Sequence, residues 1–178
     1  MSSVRVDDKL FREFIPETEI KAHVKALAEQ ISKDMAGKNP LFLAVLNGSF
    51  IFAADLMRDV TVPSEITFVR MSSYEGTAST GQVREVLGIN ENVKGRTVIV
   101  VEDIIETGLT MKNLLEMLKA LEPSEVHLCT LLLKPARLQT ELNVEYTAFE
   151  IPNDFIVGYG LDYNGQGRNL KSIYVVDE

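Results

Sequence analysis

The fold of this chain is decided by residues 98–111, which read Val98-Ile99-Val100-Val101-Glu102-Asp103-Ile104-Ile105-Glu106-Thr107-Gly108-Leu109-Thr110-Met111. Four β-branched apolar residues without a polar break are typical of a parallel strand that is buried on both faces. Two adjacent carboxylates follow directly, and a Thr-Gly-x-Thr turn then leads into a helical pattern. Ligands of open α/β sheets bind where such strands end, so we expect an acidic loop here that carries the chemistry.

The segments on either side predict an α/β fold, in which a mainly parallel twisted sheet carries helices on both faces. Apolar residues recur at spacings of three and four from Ile20 to Met35, between Pro16 and Gly37, which indicates a packing helix. Residues 10–15 are a short amphipathic lead-in to that helix. Further helices are predicted over 52–57 and 111–121, and strands over 41–46, 66–71, 83–89, 98–101, 126–133 and 144–150.

The bulk composition limits the class of protein. The 178 residues, 46% of them hydrophobic, are enough for one substantial core and too few to favour two domains. The net charge of −8 argues against nucleic-acid binding, which needs clustered Lys and Arg. No apolar stretch approaches the roughly 18 residues of a membrane span, so the sequence predicts a cytoplasmic protein. The one cysteine, Cys129, is expected to be a buried thiol. The chain has only two histidines, which argues against a metal site built from histidines.

The acidic pair and the turn after it predict a site for a sugar phosphate. Glu102 and Asp103 cannot both be core residues, because burying an unpaired carboxylate is costly. Side by side, their oxygens suit two neighbouring sugar hydroxyls, a divalent cation, or both. Residues 107–110 offer two hydroxyls, a glycine and free backbone amides at the start of a helix, which suits a phosphate monoester. Together these features predict a bound ribose phosphate.

Three other segments have alternative interpretations from their residues alone. The turn Asn47-Gly48-Ser49 offers amides to an anion, or it is an ordinary turn between a strand and a helix. The small, polar residues 72–81 form a mobile flap over a site, or a plain hairpin loop. Residues 155–170 hold four glycines and three aromatic side chains, which is poor core material and suits a cap over a planar ligand.

The sequence resembles the type I phosphoribosyltransferases, and among them the hypoxanthine-guanine phosphoribosyltransferases, over about residues 11–170. The resemblance rests on residues 100–110, on Leu46-Asn47-Gly48-Ser49, on Ser73-Tyr74, on Leu132-Leu133-Lys134, and on residues 155–164 with Arg168. The last two blocks separate the 6-oxopurine enzymes from their adenine and orotate relatives. The resemblance implies a single domain over 1–178, with a small hood formed by the N-terminal segment and about 135–178, and a flexible flap over about 73–83.

The resemblance also implies a reaction of purine salvage that uses Mg2+. The phosphoribosyl group of phosphoribosyl pyrophosphate would be joined to N9 of hypoxanthine or guanine, giving IMP or GMP and pyrophosphate. Glu102 and Asp103 would hold the ribose hydroxyls, directly or through the metal. The 5-phosphate would be wrapped by Glu106, Thr107, Gly108, Leu109 and Thr110, and pyrophosphate would be bound by Asn47, Gly48 and Arg168. As in the family, the Leu46-Asn47 peptide would be cis and turn an amide toward pyrophosphate.

The implied purine site lies beside the donor site. Lys134 would donate to O6, and because a lysine has donors only, it selects a 6-oxo over a 6-amino purine. Phe155 would stack on the base, and the Ile156 carbonyl would face the 2-amino group of guanine. Ser73 and Tyr74 would close over the reacting centre and exclude water. The implied purine set is Ile104, Lys134, Phe155, Ile156 and Asp162, and the implied ligands of magnesium are Glu102, Asp103 and Asp162.

Two positions depart from the family pattern. Asn47 stands where relatives commonly carry Lys or Arg, which removes a cation near the pyrophosphate and leaves the backbone role. Glu106, with Lys134 one of the two implied catalytic residues, stands where the family usually has Asp, proposed as acid or base at purine N7. Its extra methylene moves the carboxylate oxygens by on the order of 1 Å, so we expect a shifted rotamer or backbone to bring it to N7.

Two alternative functions stay open at this point. One is the same chemistry with xanthine preferred. The other is a regulator that senses phosphoribosyl pyrophosphate without catalysis, which would be expected to carry a basic face or an added DNA-binding segment. The resemblance further implies a homodimer or homotetramer, with small-molecule substrates and neither nucleic acid nor membrane as a partner.

Overall fold

Over the described residues, ten strands and three α-helices form two sheets and their covering layers. The computed structural model describes residues 2–73 and 83–177. In chain order the elements are β1 (Ser3–Val6), β2 (Lys9–Ile15), α1 (Glu17–Asp34), β3 (Leu41–Leu46), α2 (Phe50–Asp59), β4 (Glu65–Ser73), β5 (Val83–Leu87), β6 (Thr97–Ile105), α3 (Leu109–Lys119), β7 (Glu125–Leu133), a 3₁₀ helix (Pro135–Arg137), β8 (Tyr146–Glu150), β9 (Ile156–Val157) and β10 (Ile173–Val176).

A six-stranded sheet forms the centre of the fold, in the order β5-β4-β3-β6-β7-β8. Neighbouring strands from β4 through β8 in this order run parallel, and β5 pairs antiparallel with β4 at one edge. The predicted α/β fold with a mainly parallel sheet is therefore confirmed. Since parallel strands end at the same edge, the segments after β3, β6 and β7 come together there.

Strand β6 lies at the middle of this sheet and is buried on both faces, as its composition predicts. Ile99 and Val101 pack into the core layer that contains α1 and α2. Val98 and Val100 pack into the opposite layer with α3. Full burial of a side chain of this size stabilises the fold by about 1.5–3 kcal/mol, so the alternation explains why this run becomes the central strand.

The first helix follows its sequence signals closely. Pro16 precedes α1 with an extended backbone, and Glu17 and Glu19 lie in its first turn, where they complement the helix dipole. The apolar stripe predicted for this helix is buried throughout, at Ile20, Val24, Leu27, Ile31 and Met35. After Met35, Gly37 has φ +78°, a left-handed conformation that ends the helix without steric cost.

A second, smaller sheet of order β1-β2-β10-β9 forms the hood. All of its strand pairs are antiparallel. Phe11, Val6 and Val157 form its small apolar cluster. Residues 10–15 were expected to be a lead-in to the first helix, and that expectation is wrong. They belong to β2, because Phe11 and Ile15 are buried while β1 and β10 supply hydrogen-bonding partners on both sides.

The expected acidic loop after a strand of residues 98–101 is also wrong. Strand β6 continues through Glu102 and Asp103 to Ile105. The reason is the neighbouring strand β7, which runs on to Leu133 and pairs with β6 as far as Ile105. Backbone N–H and C=O groups that are hydrogen-bonded in this ladder would lose those bonds in a loop, so the strand continues.

Other expectations have mixed outcomes. Cys129 is buried, which raises the pKa of its thiol. β8 lies within the range 135–178 that the resemblance assigned to the hood, but it belongs to the central sheet. Ser73 is the last residue of β4, whereas Tyr74 and the rest of the expected flap up to residue 82 lie outside the described residues. Among the described helices, none is both long and apolar enough to cross a membrane.

Candidate active site

Two adjoining cavities lie at the ends of the central strands. The first has a volume of about 290 Å³ and is lined by residues 102–108, 110 and 111. The second, of about 230 Å³, is lined by Asp103, Ile104, Glu106, Lys134, Phe155, Ile156, Leu161 and Asp162. Asp103, Ile104 and Glu106 line both cavities, so the end of β6 is the wall between them. This arrangement brings the sequence-predicted donor and purine residues to one two-part site.

Glu102 and Asp103 differ sharply in their surroundings. Glu102 is buried, with 8% of its surface exposed, and its Oε1 accepts a hydrogen bond of 3.1 Å from the Asp103 amide. Burial raises the pKa of Glu102 well above its ordinary value, and the neighbouring Asp103 charge adds to this rise. Asp103 is only partly buried and lines both cavities. A cation or hydroxyl donors at this place would stabilise the ionised pair.

The turn after β6 presents the start of a helix to the first cavity. Gly108 immediately precedes α3 and has φ +80°. A Cβ at this position would lie 3.1 Å from Thr140 Cγ2, so both backbone angle and space favour glycine. The Leu109 amide donates to Thr107 Oγ1 at 3.4 Å. The helix N-terminus therefore directs amides and a partial positive charge toward this cavity, which suits a phosphate.

Gly48 lies against the Asp103 carboxylate, in a turn whose Leu46-Asn47 peptide is cis, as the resemblance implied. A Cβ at Gly48 would stand 1.7 Å from Asp103 Oδ2, and a Cβ at Gly160 would stand 2.2 Å from the Gly48 carbonyl oxygen. Three segments thus touch through two glycines: the β3–α2 turn, the end of β6 and the loop after β9. Any side chain at position 48 would displace the site carboxylate.

Lys134 and Glu106 form an ion pair in the second cavity. Lys134 Nζ lies 2.5 Å from Glu106 Oε1. Lys134 is buried, at 4% exposure, whereas 40% of the Glu106 side chain is exposed. The two residues follow the paired strand ends Ile105 and Leu133, and the Lys134 amide donates to the Ile105 carbonyl at 3.0 Å. The sheet ladder therefore sets these two side chains next to each other.

Phe155 forms an aromatic wall of the second cavity. It is 45% exposed. The ring of Tyr163 contacts it edge-on with centroids 5.5 Å apart, and Phe11 supports it at 6.1 Å. Phe155 is therefore braced by other rings while part of its surface remains open to a planar ligand.

Asp162 and Arg168 pair with each other. Arg168 Nη2 lies 2.8 Å from Asp162 Oδ1, and Arg168 Nη1 donates to the Gly160 carbonyl at 2.7 Å. The Gly165 amide donates to Asp162 Oδ2 at 2.8 Å. Asp162 lines the second cavity, whereas within the described part of the chain neither Arg168 nor Asn47 lines either of the two cavities. Among the described residues, most of those predicted to bind substrate line one of the two cavities, whereas Asn47, Gly48, Leu109 and Arg168 line neither.

Some residues of the site were not found from the sequence. Leu161 and Met111 line the cavities without having been assigned a role. Tyr159 is 3% exposed, has φ +48°, and donates to Asp55 Oδ2 of α2 at 2.6 Å. Its burial and the adjacent Asp55 raise the pKa of its hydroxyl. The flanking Gly158 and Gly160 signal an unusual backbone here, but no pattern links Tyr159 to a residue 104 positions away.

Acidic residues do not converge on a ready-made metal cage. Over residues 2–73 and 83–177, no group of three or more His, Cys, Asp or Glu side chains could hold a metal ion. Glu102 and Asp103 therefore do not share one cluster with Asp162. Two adjacent carboxylates still fit Mg2+, which proteins commonly hold through one or two carboxylates together with waters and substrate phosphates.

Comparison with known proteins relates the chain to one enzyme group. A family model described as the phosphoribosyl transferase domain matches residues 16–164. A hypoxanthine-guanine phosphoribosyltransferase of Streptococcus pneumoniae is 42% identical over 174 residues, which cover 97% of each chain. A hypoxanthine phosphoribosyltransferase of Salmonella typhimurium is 42% identical over 163 residues, covering 89% of this chain and 91% of the relative.

Solved structures give the same relation. The crystal structure of a hypoxanthine-guanine phosphoribosyltransferase from Bacillus anthracis, with a HEPES molecule in its active site, superposes with a TM-score of 0.88. It is 42% identical in sequence, and the match covers 94% of this chain and 97% of that one. The likeness therefore extends over both sheets of the fold.

Proposed function

We propose that this chain acts in purine salvage, because it belongs to the phosphoribosyltransferase family and, within that family, to the hypoxanthine-guanine phosphoribosyltransferases. It transfers the phosphoribosyl group from phosphoribosyl pyrophosphate to N9 of hypoxanthine or guanine, giving IMP or GMP and pyrophosphate. The observation that carries the proposal is the ion pair of Lys134 with Glu106, which lies where a phosphate cavity adjoins a cavity with an aromatic wall.

The first cavity binds the ribose 5-phosphate. Asp103 and Glu102 accept hydrogen bonds from the ribose hydroxyls. The phosphate takes the backbone amides of Glu106, Thr107, Gly108, Leu109 and Thr110, together with the hydroxyls of the two threonines. Because these groups are held by a strand end and a helix start, little motion is needed to bind the anion, which favours precise placement of the sugar.

Magnesium fits the same carboxylates. Glu102 and Asp103 would hold one ion near the ribose, and Asp162 would hold another on pyrophosphate. When bound, Mg2+ neutralises charge on the leaving pyrophosphate. The raised pKa of Glu102 supports this assignment, because a cation would stabilise an ionised group that burial otherwise disfavours.

The second cavity binds the purine. Lys134 donates to O6, and its lack of an acceptor disfavours the 6-amino group of adenine. Phe155 stacks on the base and Ile104 contacts it from the β6 side. The backbone carbonyl of Ile156 accepts from the 2-amino group of guanine, so the same pocket takes hypoxanthine or guanine.

Glu106 exchanges the proton at N7. As the base attacks the sugar through N9, its imidazole ring gains positive charge, and a carboxylate near N7 stabilises that charge or accepts the proton. Glu106 is half exposed and lines both cavities, so its carboxylate is accessible from the purine side.

Pyrophosphate leaves past the turn after β3. Backbone amides of Asn47 and Gly48 bind it, together with Arg168, whose guanidinium must then exchange contact with Asp162 for contact with pyrophosphate. Ser73 and Tyr74 close over the reacting centre to exclude water.

The enzyme works in the cytoplasm as a homodimer or homotetramer. Sedimentation analysis of the purified protein tests the oligomeric state.

An ultraviolet assay tests the function. Purified protein is mixed with Mg2+, phosphoribosyl pyrophosphate and, separately, hypoxanthine, guanine, xanthine and adenine. We expect nucleotide formation with hypoxanthine and guanine, none with adenine, and none with any base for a Lys134→Met variant. A clear preference for xanthine would overturn the base assignment, and no turnover with any base would overturn catalysis itself.

A further inference from the structure

The Lys134 ammonium is held by a single side chain. Among the described residues, Glu106 Oε1 is the only side-chain atom in hydrogen-bond contact with Lys134 Nζ. Lys134 itself is 4% exposed, so bulk water solvates little of its surface. A buried ammonium without an opposite charge is strongly disfavoured, and the flexible lysine stem would otherwise let it turn away from the cavity.

The length of Glu106 matters for this contact. Lys134 and Glu106 follow paired strand ends, so their backbones have fixed positions relative to one another. An aspartate at position 106 would place its carboxylate one carbon–carbon bond nearer its own strand, about 1.5 Å back. The residue that distinguishes this chain from the family pattern is therefore also the residue whose reach brings a carboxylate to Lys134.

One carboxylate oxygen is engaged and the other is available. Glu106 Oε1 binds Lys134, while Oε2 has no hydrogen-bond partner among the described residues. On a 6-oxopurine, O6 and N7 lie side by side along one edge. A lysine that donates to O6 and a carboxylate at N7 must therefore be neighbours, as Lys134 and Glu106 are.

We propose that Glu106 is a positioning residue for Lys134 as well as the group at N7. Its Oε1 holds the ammonium toward O6 and thereby contributes to selection of 6-oxopurines, independently of any proton transfer. This inference rests on the proposed function, because it assumes that the second cavity binds a 6-oxopurine. It predicts that a substitution at Glu106 lowers ligand affinity partly by weakening the contact of Lys134 with O6.

Nucleotide analogues separate the two roles. In 7-deaza-IMP a C–H group replaces N7, so Glu106 has no acceptor or donor to meet there, while O6 remains. Purine riboside 5-monophosphate keeps N7 and lacks O6. Binding of both to the wild-type protein and to Glu106→Gln is measured by calorimetry, without turnover.

The expected result is a loss of affinity for the ligand that carries O6. Glutamine keeps an acceptor for Lys134 but removes the charge, and a neutral hydrogen bond has about half the strength of a charge-assisted one. We expect Glu106→Gln to weaken 7-deaza-IMP by about 10-fold, whereas any change in affinity for purine riboside 5-monophosphate reports the N7 contact alone. In a Lys134→Met background the same substitution should no longer affect 7-deaza-IMP.

The outcomes are distinct. Unchanged affinity of Glu106→Gln for 7-deaza-IMP, or a loss that persists in the Lys134→Met background, would overturn the positioning role and leave the proposed function intact. If the wild-type protein binds neither IMP nor GMP, the proposed function itself fails.

Discussion

The hydroxyl of Tyr159 donates a hydrogen bond to Asp55 Oδ2 at 2.6 Å and so fastens the loop after β9 to helix α2. Tyr159 is 3% exposed. The next residue, Gly160, contacts the Gly48 carbonyl, and Gly48 contacts Asp103. A bond whose two residues are absent from the lining of both cavities thus lies at one end of a chain of contacts that reaches Asp103.

Removing this hydroxyl should destabilise the protein. We expect Tyr159→Phe to lower the free energy of unfolding by about 1 kcal/mol, the usual value of one hydrogen bond, measured by urea denaturation. Tyr163→Phe is a matched control, because the Tyr163 hydroxyl donates to Asp8 at 2.7 Å at an exposed position. Its effect should stay within about 0.5 kcal/mol. Equal losses for the two variants would contradict a special role of the buried bond.

Gly48→Ala should damage catalysis more than stability. The added methyl would stand 1.7 Å from Asp103 Oδ2 and force the carboxylate away. Since a misplacement of about 1 Å can cost roughly 100-fold in rate, we expect kcat/KM for phosphoribosyl pyrophosphate to fall by about that factor. The control is Gly95→Ala, where nothing lies within 4 Å of the new Cβ and a positive φ makes the cost one of stability. Normal kinetics of Gly48→Ala would refute the contact.

Glu102 should make stability depend on pH. Its pKa is raised in the folded state, so the folded protein binds the proton more tightly than the unfolded chain does. The resulting stability is present below the ordinary value of 4.5 and is lost as the pH rises above it. Glu102→Gln should therefore become increasingly more stable relative to the wild type as the pH rises above 4.5, in urea denaturation without Mg2+ or substrate.

A change at an exposed carboxylate provides the control for this pH series. Glu116 lies on the exposed face of α3, and Glu116→Gln should give a difference from wild type that stays constant over the same range. A constant difference for Glu102→Gln as well would show that burial of Glu102 carries no free-energy cost.

Periodicity and composition predicted the central sheet well. Residues 98–101 are apolar without interruption because both faces are covered, and α1 shows a regular stripe because one face is covered. The acidic pair was located correctly at the end of the central strand. Its place inside the strand was missed, because the length of β6 is set by pairing with β7, a partner 28 positions further on.

The hood was harder to predict for the same physical reason. β2 is a strand because β1 and β10 flank it, and β10 is more than 150 residues away. The contact of Tyr159 with Asp55 and the contact of Gly48 with Asp103 also join residues that are far apart in the sequence. The pair of Lys134 with Glu106 was predictable only as two separate residues with related roles. Local patterns carry no information about which distant segment supplies a partner.

Phe155 offers a direct test of the purine cavity. Stacking of a base on an aromatic ring contributes about 1–3 kcal/mol, so Phe155→Leu should raise KM for hypoxanthine by about 10-fold. KM for phosphoribosyl pyrophosphate should not change, because Phe155 lines the second cavity and is absent from the lining of the first. Leu121→Ala removes another exposed large apolar side chain, beyond the end of α3, and should alter neither constant. A parallel rise of both KM values in Phe155→Leu would mean that the ring supports the fold of the site instead of stacking on the base.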